Sequence, residues 1–519
     1  RDEQKSGLLG SGGGGLGFTM GNRRQADGLG QQGVYHSSST LASLAGDVAV
    51  DAGKDVTVKA SDIIALAGDI DMAGDNVSLD AAYDQNQQNE THTFEQTGLT
   101  VSLGGGLIDT VSTVQQSLNR IETAQDKRLQ AVYAWRAARA VRESGVLSSP
   151  VDAVTNTRDN LNLSISLGRS ESEQTRQVNS SSALGSTVQA AGDVSITARG
   201  DGERSSSGAL VATGAKIEGN TVALDAAADL LLQSAQNHTT DNSENHSSSS
   251  SIGVSIGAGG ITGTVSASRG RGYTNQTDDQ YLETQVTAKQ QATLHSGDDT
   301  TLKGATVTAE RIKADVGGDL SITSQQDSSQ YQQQQRSTGG SLSIGSSGVS
   351  GSLNQNELDA NSHYRSVNQQ SGLFAGEEGY AVEVGGHTAL TGGAIASDAE
   401  ADKNHLSTHT LSTASLENKA KYNIESSNVG FNAGTGTGNN APRNQGISGG
   451  SAQDNDQSSN TTHAVISQGT VEIRSNPEQA ANLDNDPNLK RSQAEAHQLL
   501  EKIFSEDKIT AVQEKVELT

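Results

Sequence analysis

The chain has 519 residues, with 61 Asp and Glu against 36 Lys and Arg, a net charge of −25, no Cys, and only 32% hydrophobic and 3% aromatic residues. Large apolar side chains are too scarce to offset the chain entropy of a single thick core, so an ordinary globule is excluded. The acidic balance excludes a phosphate-backbone binder, and the missing thiols exclude disulfide frameworks, thiol catalysis and thiolate metal sites. Two classes remain: a disordered chain, or a thin repeat structure filled with small aliphatic residues. No apolar run approaches the ~18 residues needed to cross a bilayer as a helix. The chain begins at Arg1 without Met, which reads as a piece of something longer.

Taken from the N-terminus, a flexible Gly run at Gly12–Gly15 leads into a six-residue pattern, Leu16–Gly21 (LGFTMG). The pattern returns as Leu99–Gly104 (LTVSLG), Leu163–Gly168 (LSISLG), Ile252–Gly257 (IGVSIG), Gly340–Gly345 (GSLSIG) and Val429–Gly434 (VGFNAG). Positions three and five are apolar, although Ala433 is small; the second and fourth are small or polar, and the last is Gly. This is the period-2 signature of a half-buried strand. The last glycines are spaced by 83, 64, 89, 88 and 89 residues, a register that disorder has no reason to keep.

Between most of these strands lies a shorter motif, Gly or Ala, then Asp or Asn, then alternating apolar residues. Gly46–Ala52 (GDVAVDA), Asp75–Ala81 (DNVSLDA), Gly192–Ala198 (GDVSITA) and Gly318–Ser324 (GDLSITS) are examples, with a weaker set over Tyr380–Ser397. Such strands are too short to stand alone, but stacked as coils each pairs and covers the next. The expectation is an all-β fold, an elongated parallel β-helix (β-solenoid), making a rod on the order of 60–100 Å at ~4.8 Å per coil. Polar tracts rich in Gln, Asn, Ser and Thr flank the six-residue strands, as at Tyr83–Gln96, Gln236–Ser251 and Gln325–Thr338. With their strands they read either as hairpin excursions from the rod or as flexible linkers.

One inserted amphipathic helix is expected over Leu107–Glu143, where the coils are missing. Its stripe includes Val111, Leu118, Ile121 and Val132, and its second half sets Tyr133 and Trp135 among Arg136 and Arg139. These eight residues are the candidate membrane or partner contacts; packing against the rod is the plain alternative. Residues 435–462 read as a flexible linker. Residues 463–519 read as a strand, Ala464–Arg474, followed by a small helical C-terminal tail at about Ser492–Glu517 that leads toward an absent module. The division is therefore 1–104 solenoid block, 105–150 inserted helix, 151–434 solenoid blocks, 435–462 linker and 463–519 junction.

The coils, the LTVSLG and LSISLG strands and the helical stretch DTVSTVQQSLNRIETAQDKRLQAVYAWRAARA resemble the haemagglutinin-repeat region of filamentous-haemagglutinin-like exoproteins. That family includes the large effectors of contact-dependent growth inhibition. The resemblance covers about residues 10–435, with HAVISQGTVEI extending it weakly. It implies a protein secreted to the bacterial cell surface by two-partner secretion. Its implied partners are an outer-membrane transporter of that system and the surface or outer membrane of a target cell. It further implies a non-catalytic rod that mediates contact and delivers a C-terminal toxin; a passive adhesin stalk is the second reading.

No cofactor and no catalytic or metal residue is assigned. Gly253–Gly257 matches the G-x-S-x-G nucleophile elbow, but Ser255 aligns with Thr19, Ser102, Ser166, Ser343 and Asn432 in the other copies, so the strand itself asks for a small polar residue there. His405 and His409 are four apart but in strand-like surroundings. Asp47, Asp69 and Asp193 read as turn residues bonding local backbone, with calcium as the alternative.

Overall fold

The protein is described from a computed structural model, over residues 2–10, 16–104, 130–135, 137–138, 162–202, 207–257, 260–346, 348–436 and 445–518. Two kinds of β-structure run side by side. The Gly-Asp motifs form parallel ladders, and the six-residue patterns with their polar flanks form one ten-stranded antiparallel sheet.

Each coil has three short strands, and equivalent strands stack in parallel. Thr40–Ser43, Val48–Asp51 and Val56–Lys59 make the first coil; Asp62–Ala65, Ile70–Gly74 and Val77–Asp80 make the second. They pair face by face, Leu41 on Ile63, Val50 on Met72, Val58 on Leu79. Alternation sends every second side chain into the lumen between the three faces. There Ile70, Met72, Leu79, Ile196, Leu210, Ile217, Leu224, Leu230 and Leu232 are fully buried. Medium aliphatic residues suit this lumen because the three faces are too close together for many aromatic rings; Tyr380, on the second face, is an exception. The ladder of the first face runs from Thr40–Ser43 to Leu489–Lys490. Its ten strands give a stack of about 45 Å at ~4.8 Å per strand. The expected 60–100 Å was too long because more than a third of the chain goes sideways into the antiparallel sheet.

The sideways segments all leave from one corner, between the third face of a coil and the first face of the next. Hairpins depart there after every second coil: Ala82–Gly104 with Asn162–Leu184, Ala235–Gly257 with Gly260–Leu282, Asp327–Gly345 with Gly348–Ser366, and Leu416–Gly436 with Gly446–Thr462. Asp2–Gly10 and Leu16–Val34 precede the first coil as a fifth pair. Each strand pairs antiparallel with the next around the whole sheet. At the intervening corners the chain turns at once through a left-handed residue: Ala60 (φ 45°), Gly214 (φ 58°), Gly304 (φ 65°) and Gly392 (φ 55°). Two coils rise by two strand spacings, and one hairpin adds two strands to the sheet. Both ladders therefore advance in step, which explains the 88–89-residue period.

The polar tracts are thus ordered strands of 17–23 residues, not linkers. Residues 446–462, expected as flexible linker, form the tenth strand, because Asn418–Asn460, Tyr422–Asp456 and their neighbours complete a continuous register. The C-terminal segment differs from a single tail helix. After Ala464–Ile466 and Thr470–Ile473 extend the ladders, the helix Pro477–Ala481 and Leu483 close the end of the lumen. Asn476 caps that helix by accepting from the Gln479 backbone N–H at 3.1 Å. Gln493–Ala496 and Glu506–Leu518 are separate helices. The second of these lies on the roots of the hairpin sheet, burying Ile509 and Val512 against Tyr331, Leu358, Ala360, Tyr422 and Ile424. Phe504 stacks at 4.9 Å from the Tyr331 ring, and Lys508 donates to the Tyr422 hydroxyl at 2.9 Å.

Candidate functional site

The six-residue strands lie at the far ends of the hairpins, and there the alternation of their side chains separates two unlike faces. One face carries hydroxyls in cross-strand pairs: Thr19 with Thr100 (2.9 Å), Ser251 with Ser266 (2.7 Å), Thr264 with Ser343 (2.9 Å) and Ser341 with Ser352 (2.8 Å). The other carries aliphatic rows that cross strand after strand. Met20, Leu99, Leu167, Ile252, Val265 and Leu342 form one row; Phe18, Val101, Ile165 and Val254 begin the next.

The alternation was read as that of a half-buried strand, yet its apolar rows face outward. Leu167, Ile252, Ile256, Ile261, Val265, Ile344, Leu353 and Ile447 are each at least 48% exposed, and Phe18, Val254 and Phe431 more than 40%. From the second strand to the tenth, over about seven residues of strand length, the band occupies on the order of 800 Å² of sheet, above the few hundred Å² of apolar patch usual on a soluble monomer. Toward the last strands, Gly340, Gly351 and Ala433 remove side chains from the floor, leaving an apolar hollow of 370 Å³ between Val265, Leu342, Leu353 and Phe431. The reading from six copies missed two returning strands. Ile261–Ala267 and Val349–Leu353 continue the alternation, but Gly263 and Gly351 stand where the neighbouring strands carry apolar side chains.

Of the helical candidates, Val132, Tyr133 and Trp135 lie in residues 130–135, which are helical. Val132 and Trp135 are exposed, while Tyr133 is buried and donates a hydrogen bond to Glu517 of the C-terminal helix. Val111, Leu118, Ile121, Arg136 and Arg139 fall outside the described residues, as does most of the expected helix.

The polar candidates resolve into structural roles. Ser255 sits within a continuous strand, opposite Ser164 and Thr262. His405 opens the strand His405–Thr408 and His409 follows it, so the two do not share a helix face. The coil aspartates bond the neighbouring coil rather than local backbone. The Asp47 carboxylate accepts from the Asp69 N–H at 2.9 Å, Asp69 from Asp193 at 2.8 Å, and Asp193 from Thr221 at 3.0 Å. The Thr221 hydrogen bonds hold the Asp193 carboxyl below its ordinary range. Asp229, Asp299 and Asp319 continue the same device at the third face. Among the described residues no group of three or more His, Asp or Glu could hold a metal ion, and no helix is long and apolar enough to cross a membrane. One strongly displaced carboxyl stands at a hairpin root. Glu283, between the strand Gly260–Leu282 and the first face, is pushed up to about 8, by burial first and the nearby Asp327 second.

A stack of parallel coils carrying a lateral hairpin sheet defines a repeat-built β-scaffold. The comparisons agree. Residues 165–340 match the hemagglutinin repeat family. It is 35% identical over 524 residues to the tRNA nuclease CdiA of Escherichia coli O6:K15:H31 (strain 536 / UPEC), covering 98% of this chain and 16% of that protein. It is 34% identical to the deoxyribonuclease CdiA of Dickeya dadantii (strain 3937), covering 98% of this chain and 15% of that protein. Against the deoxyribonuclease CdiA of Yersinia pseudotuberculosis serotype O:3 (strain YPIII) it is 33% identical, over 98% of this chain and 47% of the relative. The chain thus spans between about a sixth and a half of these relatives. No solved structure matches it.

Proposed function

We propose that this chain is the non-catalytic rod of a secreted, cell-surface haemagglutinin-repeat protein, exported through a two-partner outer-membrane transporter. Its hairpin sheet engages the outer membrane of a target cell while the parent protein delivers a C-terminal toxin. The observation that carries this reading is the aliphatic band at the hairpin tips. Burying a Leu, Ile or Val side chain gains ~1.5–3 kcal/mol when it starts fully exposed. Half-exposed residues gain less, yet the rows together supply on the order of 10 kcal/mol, enough for firm association. The band's seven-residue height is short of the ~9–11 residues of a spanning strand, so the sheet would enter one leaflet rather than cross. Relatives named as nucleases place such chemistry within proteins much longer than this chain, which supports a scaffold role for the matched part. The exposed Val132 and Trp135 belong to the same reading as further contacts.

Flotation with vesicles of outer-membrane lipids tests it. The wild-type chain should float with the vesicles, with a blue-shifted Trp135 emission if that side chain enters the bilayer. The triple variant Ile165→Asp, Ile252→Asp, Ile344→Asp, whose positions are not directly opposed to one another, should stay in solution with an unchanged far-UV spectrum, since these exposed positions contribute little to folding. Equal flotation of the two proteins would remove the tips from the mechanism, and no flotation of the wild type would favour the adhesin stalk.

A further inference from the structure

Rootward of the aliphatic band, on the same face, the sheet carries a charged cup of 540 Å³. Its row crosses four strands in register: Glu173 opposite His246, His246 opposite Arg271, Arg271 opposite Arg336. Glu244 and Tyr273, opposite one another, stand in the next row between Thr175 and Gln334. Two arginines directly opposed on neighbouring strands repel, and like charges in that position destabilise a sheet. Arg336 is held by Glu357 at 2.6 Å, but Arg271 makes no ion pair among the described residues, and neither do Glu173 and Glu244. The cup therefore presents an acidic wall and a basic wall that face a common space without neutralising each other.

We infer that this cup binds a phosphoethanolamine headgroup, its phosphate on Arg271 and Arg336 and its ammonium on Glu244 and Glu173. A simple anion would meet the carboxylates, and a simple cation would meet the guanidinium pair. A headgroup whose ammonium stands two carbons from its phosphate ester satisfies both walls across the ~4.8 Å steps between strands. Arginine is suited to the phosphate because its fork can donate two parallel hydrogen bonds. The placement argues for a lipid rather than a soluble ester. From Arg271 to Ala267 on one strand, and from Arg336 to Gly340 on the next, four residues, or ~13 Å, lead to the apolar hollow. A lipid lying along the strands would set its headgroup in the cup and its acyl chains against Val265, Leu342 and Phe431.

The inference rests on the membrane reading above, and the experiment separates the two. Vesicles of phosphatidylcholine alone are compared with vesicles containing phosphatidylethanolamine or phosphatidylglycerol, using the full chain. We expect binding at least tenfold tighter with phosphatidylethanolamine than with either other lipid. Arg271→Gln and, independently, Glu244→Gln should each abolish that preference while leaving phosphatidylcholine binding unchanged. Both positions are on the solvated sheet, so melting should not fall, and Arg271→Gln should raise it slightly by relieving the repulsion with Arg336; Arg271→Lys should restore part of the preference. Equal binding to all three vesicles would overturn the headgroup site and leave the membrane reading intact. No binding to any vesicle would overturn the membrane reading. Soluble phosphoethanolamine, titrated against inorganic phosphate and ethanolamine, then decides the cup by itself: saturable binding of the zwitterion alone upholds it, and binding of none or of all alike sinks it.

Discussion

The solenoid and the hairpin tips are written in the same period-2 alphabet and end in opposite environments. In the coils, Val194 and Ile196 alternate with Ser195 and Thr197 and point into a closed lumen. At the tips, Ile252, Val254 and Ile256 alternate with Gly253 and Ser255 and point outward. Alternation reports that a strand has two unlike faces. It does not report which of them is covered, because cover depends on what the third dimension places opposite. A coil supplies its own cover by turning through three faces, whereas a hairpin in an open sheet has none until another element or another molecule arrives.

The comparison can be broken most severely in the lumen. Leu224→Ala should cost ~2–5 kcal/mol in urea unfolding, since Leu224 is fully buried and stacks between Ile196 and Leu294. A loss below ~1 kcal/mol would mean the lumen is not close-packed. Next comes the clasp on the hairpin roots. Val512→Asp puts a charge into the fully buried contact beneath the C-terminal helix and should release that helix. Limited proteolysis should then cut after residue 500 while the solenoid melts as before.

A smaller effect is expected in the aspartate ladder. Asp193→Ala leaves the Thr221 N–H without its acceptor and should cost ~1 kcal/mol. The Asp193 carboxyl is lowered in the folded protein, so its contribution is present above the ordinary carboxylate range and is lost as pH falls through the folded value. Asp193→Asn should accordingly make stability less sensitive to acid. Glu283 works with the opposite sign. Its folded value of about 8 lies above its unfolded one, so it is protonated in the folded state where the unfolded chain is ionised, and stability falls as pH rises from about 4.5 to about 8. Glu283→Gln should raise the melting temperature at pH 9 and leave it unchanged at pH 4. The smallest change is at the tips: Leu167→Ala should move unfolding by less than ~0.5 kcal/mol, because the side chain is 54% exposed. A core-sized loss there would show that the band is covered in solution.

Much of this was legible before the fold. The Gly-Asp coils lead directly to stacked parallel strands, and the six-residue repeat with its 88–89-residue spacing to strands that leave the rod at regular intervals. The linker expectation over 446–462 failed for a physical reason: a Ser, Asn and Gly-rich stretch has no apolar period, yet it pairs through its backbone once the ninth strand offers a partner. The charged cup was invisible for a related reason. Glu173, His246, Arg271 and Arg336 are far apart in the chain, and only sheet register sets them in one row. The turn reading of Asp69 found the right residue type and missed the partner, which is the neighbouring coil.

By itself, then, the sequence determined the strand alphabet, the repeat length and the absence of a thick core, because these follow from local sterics and from the supply of apolar side chains. Tertiary structure decided which alternating faces are enclosed and which stay open. It also decided which charges converge, because both depend on pairing between segments that the chain brings together only after two coils have risen beside each hairpin.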